Sequence, residues 1–118
     1  MKKRRGYQRA DRVGQQIHEV VARLFIEDIS DPRLSGVEIT DVDLAPDLRN
    51  AKIYYTLRGG ESPPPELAGV LDGVVGFIQG KLGAELELQY VPMVEFRFDE
   101  AAEKGRRIDE LLSDLNRD

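Results

Sequence analysis

The first third of the chain carries one long apolar pattern with the spacing of a helix. Its seven apolar residues recur at helical intervals: Val13, Ile17, Val20, Val21, Leu24, Phe25 and Ile29. At 3.6 residues per turn they form one broad face on a helix of about five or six turns. Proline disfavours helical backbone in the residue before it, so we expect the helix to end before Asp31-Pro32. A face this wide needs a second layer to cover it.

Two stretches with strand periodicity follow. Residues 37–44 alternate apolar and polar side chains, but the alternation slips by one residue at Thr40-Asp41. Such a slip is typical of a β-bulge. Residues 51–58 alternate without interruption, and the intervening Pro46–Asn50 segment is rich in turn residues. The two stretches predict an antiparallel hairpin.

A second helical stretch covers residues 67–82, and Gly69, Gly73 and Gly76 interrupt it. Each glycine disfavours a helix by about 1 kcal/mol relative to alanine, which predicts a kink or a break. A third strand is expected after Pro92. We expect Glu100 to Glu103 to be solvated charge in a polar loop, and a short terminal helix after it.

This order of elements predicts an α+β fold with a three-stranded sheet covered by helices on one face. A right-handed crossover would join the second and third strands if they are parallel. Residues 1–118 are expected to form a single domain. Residues 1–8 would be a basic arm, and residues 100–118 a weakly structured tail.

The composition disfavours an enzyme. The 118 residues are 41% hydrophobic and 33% charged, which suits a soluble globular domain. Without cysteine there is no disulfide, thiolate metal site or cysteine nucleophile. His18 is the only histidine, and its place beside the apolar stripe favours a structural role. Phosphate-loop and dinucleotide-binding motifs are absent, so no cofactor is implied. The sequence shows neither a signal peptide nor a membrane-spanning run, and the expected location is the cytoplasm.

Charge is distributed unevenly. Residues 1–12 hold six basic residues against Asp11, a formal charge of +5, whereas the whole chain carries -5 and the remainder therefore -10. The basic residues are Lys2, Lys3, Arg4, Arg5, Arg9 and Arg12. A basic arm on an acidic body indicates local contact with a polyanion. Basic termini also simply aid solubility, and charge alone leaves both interpretations open.

Several short motifs, in order over roughly residues 5–112, resemble the ribosome-binding factor A family. They are Arg9–Gly14, Ile29–Leu34, Ile39–Val42, Pro46–Leu48, Ala51–Tyr54, Gly76–Ile78, Val91-Pro92, Phe96–Asp99 and Gly105–Ile108. The resemblance implies a type II KH-like fold, ordered α-β-β-α(kink)α-β.

The same resemblance implies a function. A member of this family is a monomer that binds the free or immature 30S subunit and 16S rRNA. It assists late maturation of the subunit and rRNA processing, including at low temperature. Other assembly factors are further candidate partners, and a membrane is not.

The resemblance also locates part of the RNA-binding site. The family's Ala-x-Gly kink falls on Val74-Val75-Gly76, so the alanine is absent here. Gln79 and Gln89 stand where relatives often have arginine, and Lys81 is the only basic residue nearby in sequence.

The basic arm completes the predicted site. Arg5, Arg9 and Arg12 would share one helical face, which together with Lys2, Lys3 and Arg4 would clamp phosphate oxygens. Arg33 and Lys52 are weaker candidates, and Arg33 could equally cap a carbonyl at the end of the first helix. A different class of function remains open: an adaptor whose acidic body docks on ribosomal proteins with little RNA contact.

Overall fold

A computed structural model describes residues 5–116, with the backbone alone for residues 5–7. Four helices and three strands follow one another along the chain. They are α1 (Arg5–Glu27), β1 (Val37–Leu44), β2 (Asn50–Leu57), α2 (Leu67–Asp72), α3 (Val75–Glu85), β3 (Met93–Phe98) and α4 (Glu100–Leu115). A short 3₁₀ turn, Pro32–Leu34, connects α1 to β1.

The helix α1 ends where the sequence predicts. The carbonyl of Leu24 accepts hydrogen bonds from the amides of Asp28 (2.9 Å) and Ile29 (2.8 Å), which closes the last turn. Pro32 then begins the 3₁₀ turn, and the Asp31 side chain caps it by accepting from the amide of Arg33. Helical backbone therefore stops ahead of the Asp31-Pro32 step.

The three strands form one mixed sheet in the order β1-β2-β3. β1 and β2 are antiparallel, and their register shifts between Ile39 and Asp41, so the predicted hairpin and bulge are both confirmed. β2 and β3 are parallel, with Asn50 paired to Met93 and Tyr55 to Phe98. The chain between them therefore crosses over through α2 and α3, as the sequence predicts.

The predicted break in the second helical stretch lies at Gly73-Val74. The Gly73 amide donates to the carbonyls of Gly69 (3.1 Å) and Val70 (3.2 Å), and the Val74 amide donates to Leu71 (3.0 Å). The helix α3 follows this turn, and the Ile78 amide donates to the carbonyl of Val74 (3.0 Å). The tight turn separates α2 from α3 and changes which residues face the core.

One face of the sheet is buried under α1, α2 and α3. The main core contains Val13, Ile17, Val20, Val21, Leu24, Leu44, Ala51, Ile53, Ile78, Leu82 and Val94. A second cluster contains Leu34, Val37, Tyr55, Leu67 and Leu71. Each large aliphatic side chain buried here contributes about 1.5–3 kcal/mol of transfer free energy. The opposite face of the sheet is solvated and exposes mainly charged side chains: Glu38, Asp41, Asp43, Lys52, Glu95 and Arg97.

The segment Leu67–Glu85 has the length and apolar composition of a membrane-crossing helix, with a mean hydropathy of 1.2. It is divided by the break at Gly73-Val74, and its large aliphatic side chains reach the two cores. Leu67, Leu71, Ile78 and Leu82 are buried in these cores, whereas Phe77 is 43% exposed.

The last helix, α4, begins at Glu100 and spans 16 residues, so residues 100–103 are helical rather than a loop. Asp99 caps it by accepting from the amide of Ala102 at 2.9 Å. The expectation that Glu103 is solvated was wrong, because the residue is only 6% exposed. Its carboxylate lies 2.6 Å from Arg106 and 3.4 Å from Arg107, and these cations compensate for the burial.

Candidate nucleic-acid interface

The basic side chains near the start of α1 point into solvent. Arg9 and Arg12 are exposed, and they lie three residues apart on the same helix. The backbone of Arg5 continues this helix one turn earlier, so the spacing predicted for a shared face is present. Lys2, Lys3 and Arg4 lie outside the described residues.

Arg9 borders a pocket that sequence reasoning did not find. The pocket has a volume of about 330 Å³ and is lined by Arg9, Pro46–Arg49 and Leu88–Tyr90. The guanidinium of Arg49 lies 5.3 Å from the ring centroid of Tyr90, a cation–π contact. Arg49 and Tyr90 are far apart in the sequence, so only the fold brings them together. Gln89, noted in the sequence as a replacement for arginine, lines the same pocket.

The kink residues Val74, Val75 and Gly76 lie at the junction of α2 and α3. Val74 is the residue before α3, and no side chain caps that helix end. Both valines pack against the main core, whereas a Cβ added at Gly76 would meet nothing within 4 Å. The first amides of a helix lack intrahelical acceptors, so this exposed turn can offer N–H donors to a phosphate.

Arg33 lies beside this junction. A cleft of about 440 Å³ is lined by Asp31, Arg33, Glu66, Gly69, Val70, Gly73 and Val74. The Arg33 side chain binds Asp31: Nε lies 3.0 Å from Oδ1 and Nη2 lies 2.7 Å from Oδ2. These hydrogen bonds, followed by the one from the Arg33 amide, lower the pKa of Asp31 to about 2. This ion pair uses two of the five N–H donors of the guanidinium and leaves the others for a phosphate, but the Asp31 charge offsets part of the attraction.

The remaining predicted residues are less available or lie elsewhere. Lys81 is half-buried, with Nζ 3.9 Å from the carboxylate of Asp28 and 5.6 Å from the ring centroid of Phe77. Gln79 is also half-buried on α3. Lys52 projects from the open sheet face, where its strand neighbours are Asp43 and Glu95. A phosphate there would meet two carboxylates for one cation.

The predicted residues therefore do not form one patch. Arg9 and Arg12 lie at the beginning of α1, and Arg33 and the kink lie beyond its end. From Arg9 to Glu27 the helix rises about 27 Å at 1.5 Å per residue. Lys52 is on the other side of the sheet. The described residues thus place two separate candidate contacts near opposite ends of α1: the Arg9 and Arg12 pair, and the cleft of Arg33 and the kink.

This arrangement defines the class of protein: an α+β domain with a KH-like fold, in which the α2–α3 break replaces an interhelical loop. Solved structures share the fold. Ribosome-binding factor A from Thermus thermophilus has a TM-score of 0.66 and 17% identity, covering 75% of this chain and 93% of that one. A Thermotoga maritima protein solved by NMR has a TM-score of 0.58 and 22% identity, covering 81% and 91%.

The family is shown by sequence. The family description "Ribosome-binding factor A" matches residues 9–112. Ribosome-binding factor A of Geobacter metallireducens is 39% identical over 109 residues, covering 92% of each chain. The protein of the same name from Staphylococcus carnosus is 34% identical and covers 92% of this chain and 95% of its own. The chain belongs to the ribosome-binding factor A family.

Proposed function

We propose that this chain binds the 30S ribosomal subunit through 16S rRNA and assists late maturation of the subunit without catalysing a reaction. The observation that carries the proposal is family membership over residues 9–112. A Thermus thermophilus relative with a TM-score of 0.65 has been fitted into the cryo-EM map of a 30S–ribosome-binding factor A complex. A protein that acts on ribosomal subunits works in the cytoplasm.

The chemistry of the exposed residues supports contact with RNA backbone. Guanidinium groups at Arg9 and Arg12 suit phosphate oxygens, and each phosphate they neutralise releases condensed counterions. The body of the chain is acidic, so RNA is attracted only to local basic positions, and long-range repulsion opposes other orientations of the protein. Binding would then favour one arrangement of the immature RNA over others, a population shift that needs no covalent step.

Sedimentation tests the partner. The full chain is mixed with purified 30S subunits, 50S subunits and 70S ribosomes and separated on sucrose gradients at constant magnesium. Migration with 30S subunits alone is the expected result. Absence from the 30S fraction at modest salt, with immature subunits included, would contradict the proposal.

A salt series tests the phosphate contacts. Each phosphate contact to a single strand contributes a slope of about -0.7 in log affinity against log salt, and about -0.9 for a duplex. Arg9→Gln with Arg12→Gln should weaken 30S binding and make the slope shallower by roughly two contacts. The control is Arg58→Gln with Lys104→Gln, which removes two exposed cations elsewhere.

The adaptor interpretation predicts a different result. If the acidic body docks on ribosomal proteins, neutralising Arg9 and Arg12 leaves 30S affinity and its salt slope unchanged. Removing residues 1–12 altogether is a poorer test, because it deletes two turns of α1 and the buried Ala10, which is 2% exposed. Point substitutions keep the helix intact and distinguish direct RNA binding from docking on ribosomal proteins.

The roles in rRNA processing and in growth at low temperature are part of the same proposal. In a bacterial strain lacking its own family member, expression of this chain should restore growth in the cold and reduce unprocessed 16S precursor. The Arg9→Gln, Arg12→Gln variant should restore both less well. Growth restored without any change in precursor would separate the two roles.

A further inference from the structure

The pocket beside Arg9 is built from three segments that meet at one end of the molecule. They are the first turns of α1, the β1–β2 turn at Pro46–Arg49, and the loop from α3 to β3 at Leu88–Tyr90. Its volume of about 330 Å³ lies at the lower end of the range for small-ligand sites. The pocket therefore suits one nucleotide rather than a duplex.

An aromatic ring stands at this pocket, exposed to solvent. Tyr90 is 59% exposed, unlike Tyr55 in the core, which is 5% exposed. Arg49 occupies one side of the ring with its centroid 5.3 Å from the guanidinium carbon. Exposed aromatic rings beside cations are the usual platform for unpaired bases, because every base has a π-face to stack.

Charge around the ring suits a phosphate. Arg9 and Arg49 are exposed cations, and Asp47 is the one carboxylate among the lining residues. Asp47 Oδ1 accepts from the amide of Arg49 at 3.0 Å, so this carboxylate is engaged in shaping its own turn. The lining keeps a formal charge of +1.

The β1–β2 turn is held in a fixed shape. The Ala45 amide donates to the Asn50 carbonyl (2.9 Å), and the Leu48 amide donates to Ala45 (2.8 Å). Leu48 adopts a φ of 64°, in the left-handed region that residues other than glycine rarely occupy, and its side chain packs against the core. The carbonyl of Arg49 accepts from the Met93 amide (2.9 Å), which ties the turn to the strand after Tyr90. The backbone of Arg49 is therefore held at the start of β3, three residues after Tyr90.

We propose that this pocket binds one unpaired RNA nucleotide. The base stacks on Tyr90, a neighbouring phosphate lies between Arg9 and Arg49, and the Gln89 amide offers a donor and an acceptor to the edge of the base. The inference rests on the proposed binding to rRNA and adds to it a preference for single-stranded RNA. Gln89 stands where relatives often have arginine. It replaces a positive charge with an amide that can form hydrogen bonds to the edge of a base.

The test uses the full chain and NMR of its tyrosine rings. Pentaadenylate is the single-stranded probe, and a short self-complementary RNA duplex is the paired one. With pentaadenylate the ring resonances of Tyr90 should shift, together with the side-chain signals of Arg9 and Arg49. The duplex should move the arginine signals and leave the Tyr90 ring unchanged. Equal shifts of the Tyr90 ring with both probes, or none with pentaadenylate, would overturn the proposal.

Variants separate stacking from charge. Tyr90→Leu should weaken pentaadenylate binding about tenfold, given the usual contribution of one stacked base, whereas Tyr90→Phe should keep it. Tyr54→Leu on the open sheet face is the matched control, and amide spectra confirm that each variant is folded. Loss of affinity in both Tyr90 variants would assign the effect to the hydroxyl and contradict stacking.

The same variants distinguish this inference from the proposed function. If Tyr90→Leu binds 30S subunits and pentaadenylate like the unaltered chain, the pocket assignment fails while binding to the subunit stands. If the unaltered chain does not migrate with 30S subunits, the proposed function fails. The Tyr90 ring shifts with pentaadenylate would then still report whether the pocket takes a nucleotide.

Discussion

Asp31 and Arg33 form an ion pair within one short turn, where the backbone leaves α1. The Asp31 carboxylate accepts from the Arg33 amide at 2.9 Å as well as from its guanidinium. It therefore caps the 3₁₀ turn and holds the arginine beside the cleft at the α2–α3 junction. Local structure and a candidate RNA contact depend on the same carboxylate.

The pKa of Asp31 is the first prediction. Its carboxyl ¹³C signal should titrate at about pH 2, because the Arg33 side chain and amide both donate to the ionised form. Arg33→Gln should raise the pKa toward the ordinary value of about 3.9, with part of the decrease kept by the amide. Since the folded pKa is the lower one, the stabilisation is complete above about pH 4 and is lost as the pH falls through about 2. A midpoint near 3.9 in the unaltered chain would contradict the ion pair.

Glu103 anchors α4, which supplies the second prediction. Its carboxylate is buried against Arg106, and that arginine reaches Gly60, where an added Cβ would lie 1.6 Å from Nη2. Glu103→Ala should remove hydrogen-exchange protection from the amides of α4 while the sheet amides keep theirs. Glu110→Gln is the matched control, because Glu110 binds the same arginine from an exposed position. Unchanged protection in Glu103→Ala would show that α4 is held by other contacts.

The pH dependence of this anchor follows from its pKa. The hydrogen bond from Arg106, and then the charges of Arg106 and Arg107, lower the pKa of Glu103. The contribution to α4 docking is therefore complete above the ordinary glutamate pKa of about 4.3 and decreases as the pH falls below it. Protection in α4 should fall in acid before protection in the sheet does.

Sequence reasoning failed at Glu103 for a physical reason. The arginines at positions 106 and 107 are visible in the sequence, and on a helix they lie within reach of Glu103. Burial of the group, however, depends on the loop at Gly59-Gly60 folding over it, which is a tertiary contact. Arg49 and Tyr90 were missed in the same way, since their pairing depends on two loops meeting.

At the scale of elements, the break between α2 and α3 was predictable but its position was not. Gly69, Gly73 and Gly76 each weaken a helix to a similar extent, so composition alone favours none of them. In the structure the break lies at Gly73-Val74, where the amides of both residues donate to carbonyls three residues earlier. The bulge in β1 was easier to place, since the apolar residues Ile39 and Val42 must both face the core.

Gly80 gives the third prediction. It lies on α3, one turn after Gly76, and an added Cβ would meet nothing within 4 Å. Gly80→Ala should therefore raise the free energy of unfolding by up to about 1 kcal/mol, measured by urea denaturation. If RNA backbone approaches this face of α3, the same change should weaken binding to 30S subunits.

Gly105→Ala is the control for that experiment. It lies inside α4 with equally open space around its Cα, so it should stabilise the chain to a similar extent. Its 30S affinity should be that of the unaltered chain. Weakened binding in both variants would assign the effect to stiffer helices rather than to a close approach at α3.

At the scale of the molecule, the order of elements and the covered sheet face follow from hydrophobic periodicity. The arrangement of the candidate site does not. Periodicity shows which side of each element is buried, but it does not show how far apart the predicted RNA-binding residues lie. Arg33 follows the end of a helix that rises about 27 Å from Arg9 to Glu27, and Lys52 lies on the other face of the sheet.

This separation supports the last prediction, which concerns additivity. Arg9→Gln and Arg33→Gln should each weaken binding to 30S subunits, measured by sedimentation at fixed salt. Sites more than about 10 Å apart without shared partners act independently, so the two losses in binding free energy should add within about 0.5 kcal/mol. Because α1 is a rigid helix between the two arginines, neither contact can move to replace the other. This further supports additive losses in binding free energy. If the double variant binds 30S subunits as tightly as the single variant of lower affinity, both arginines serve one contact. The two-position arrangement would then be wrong.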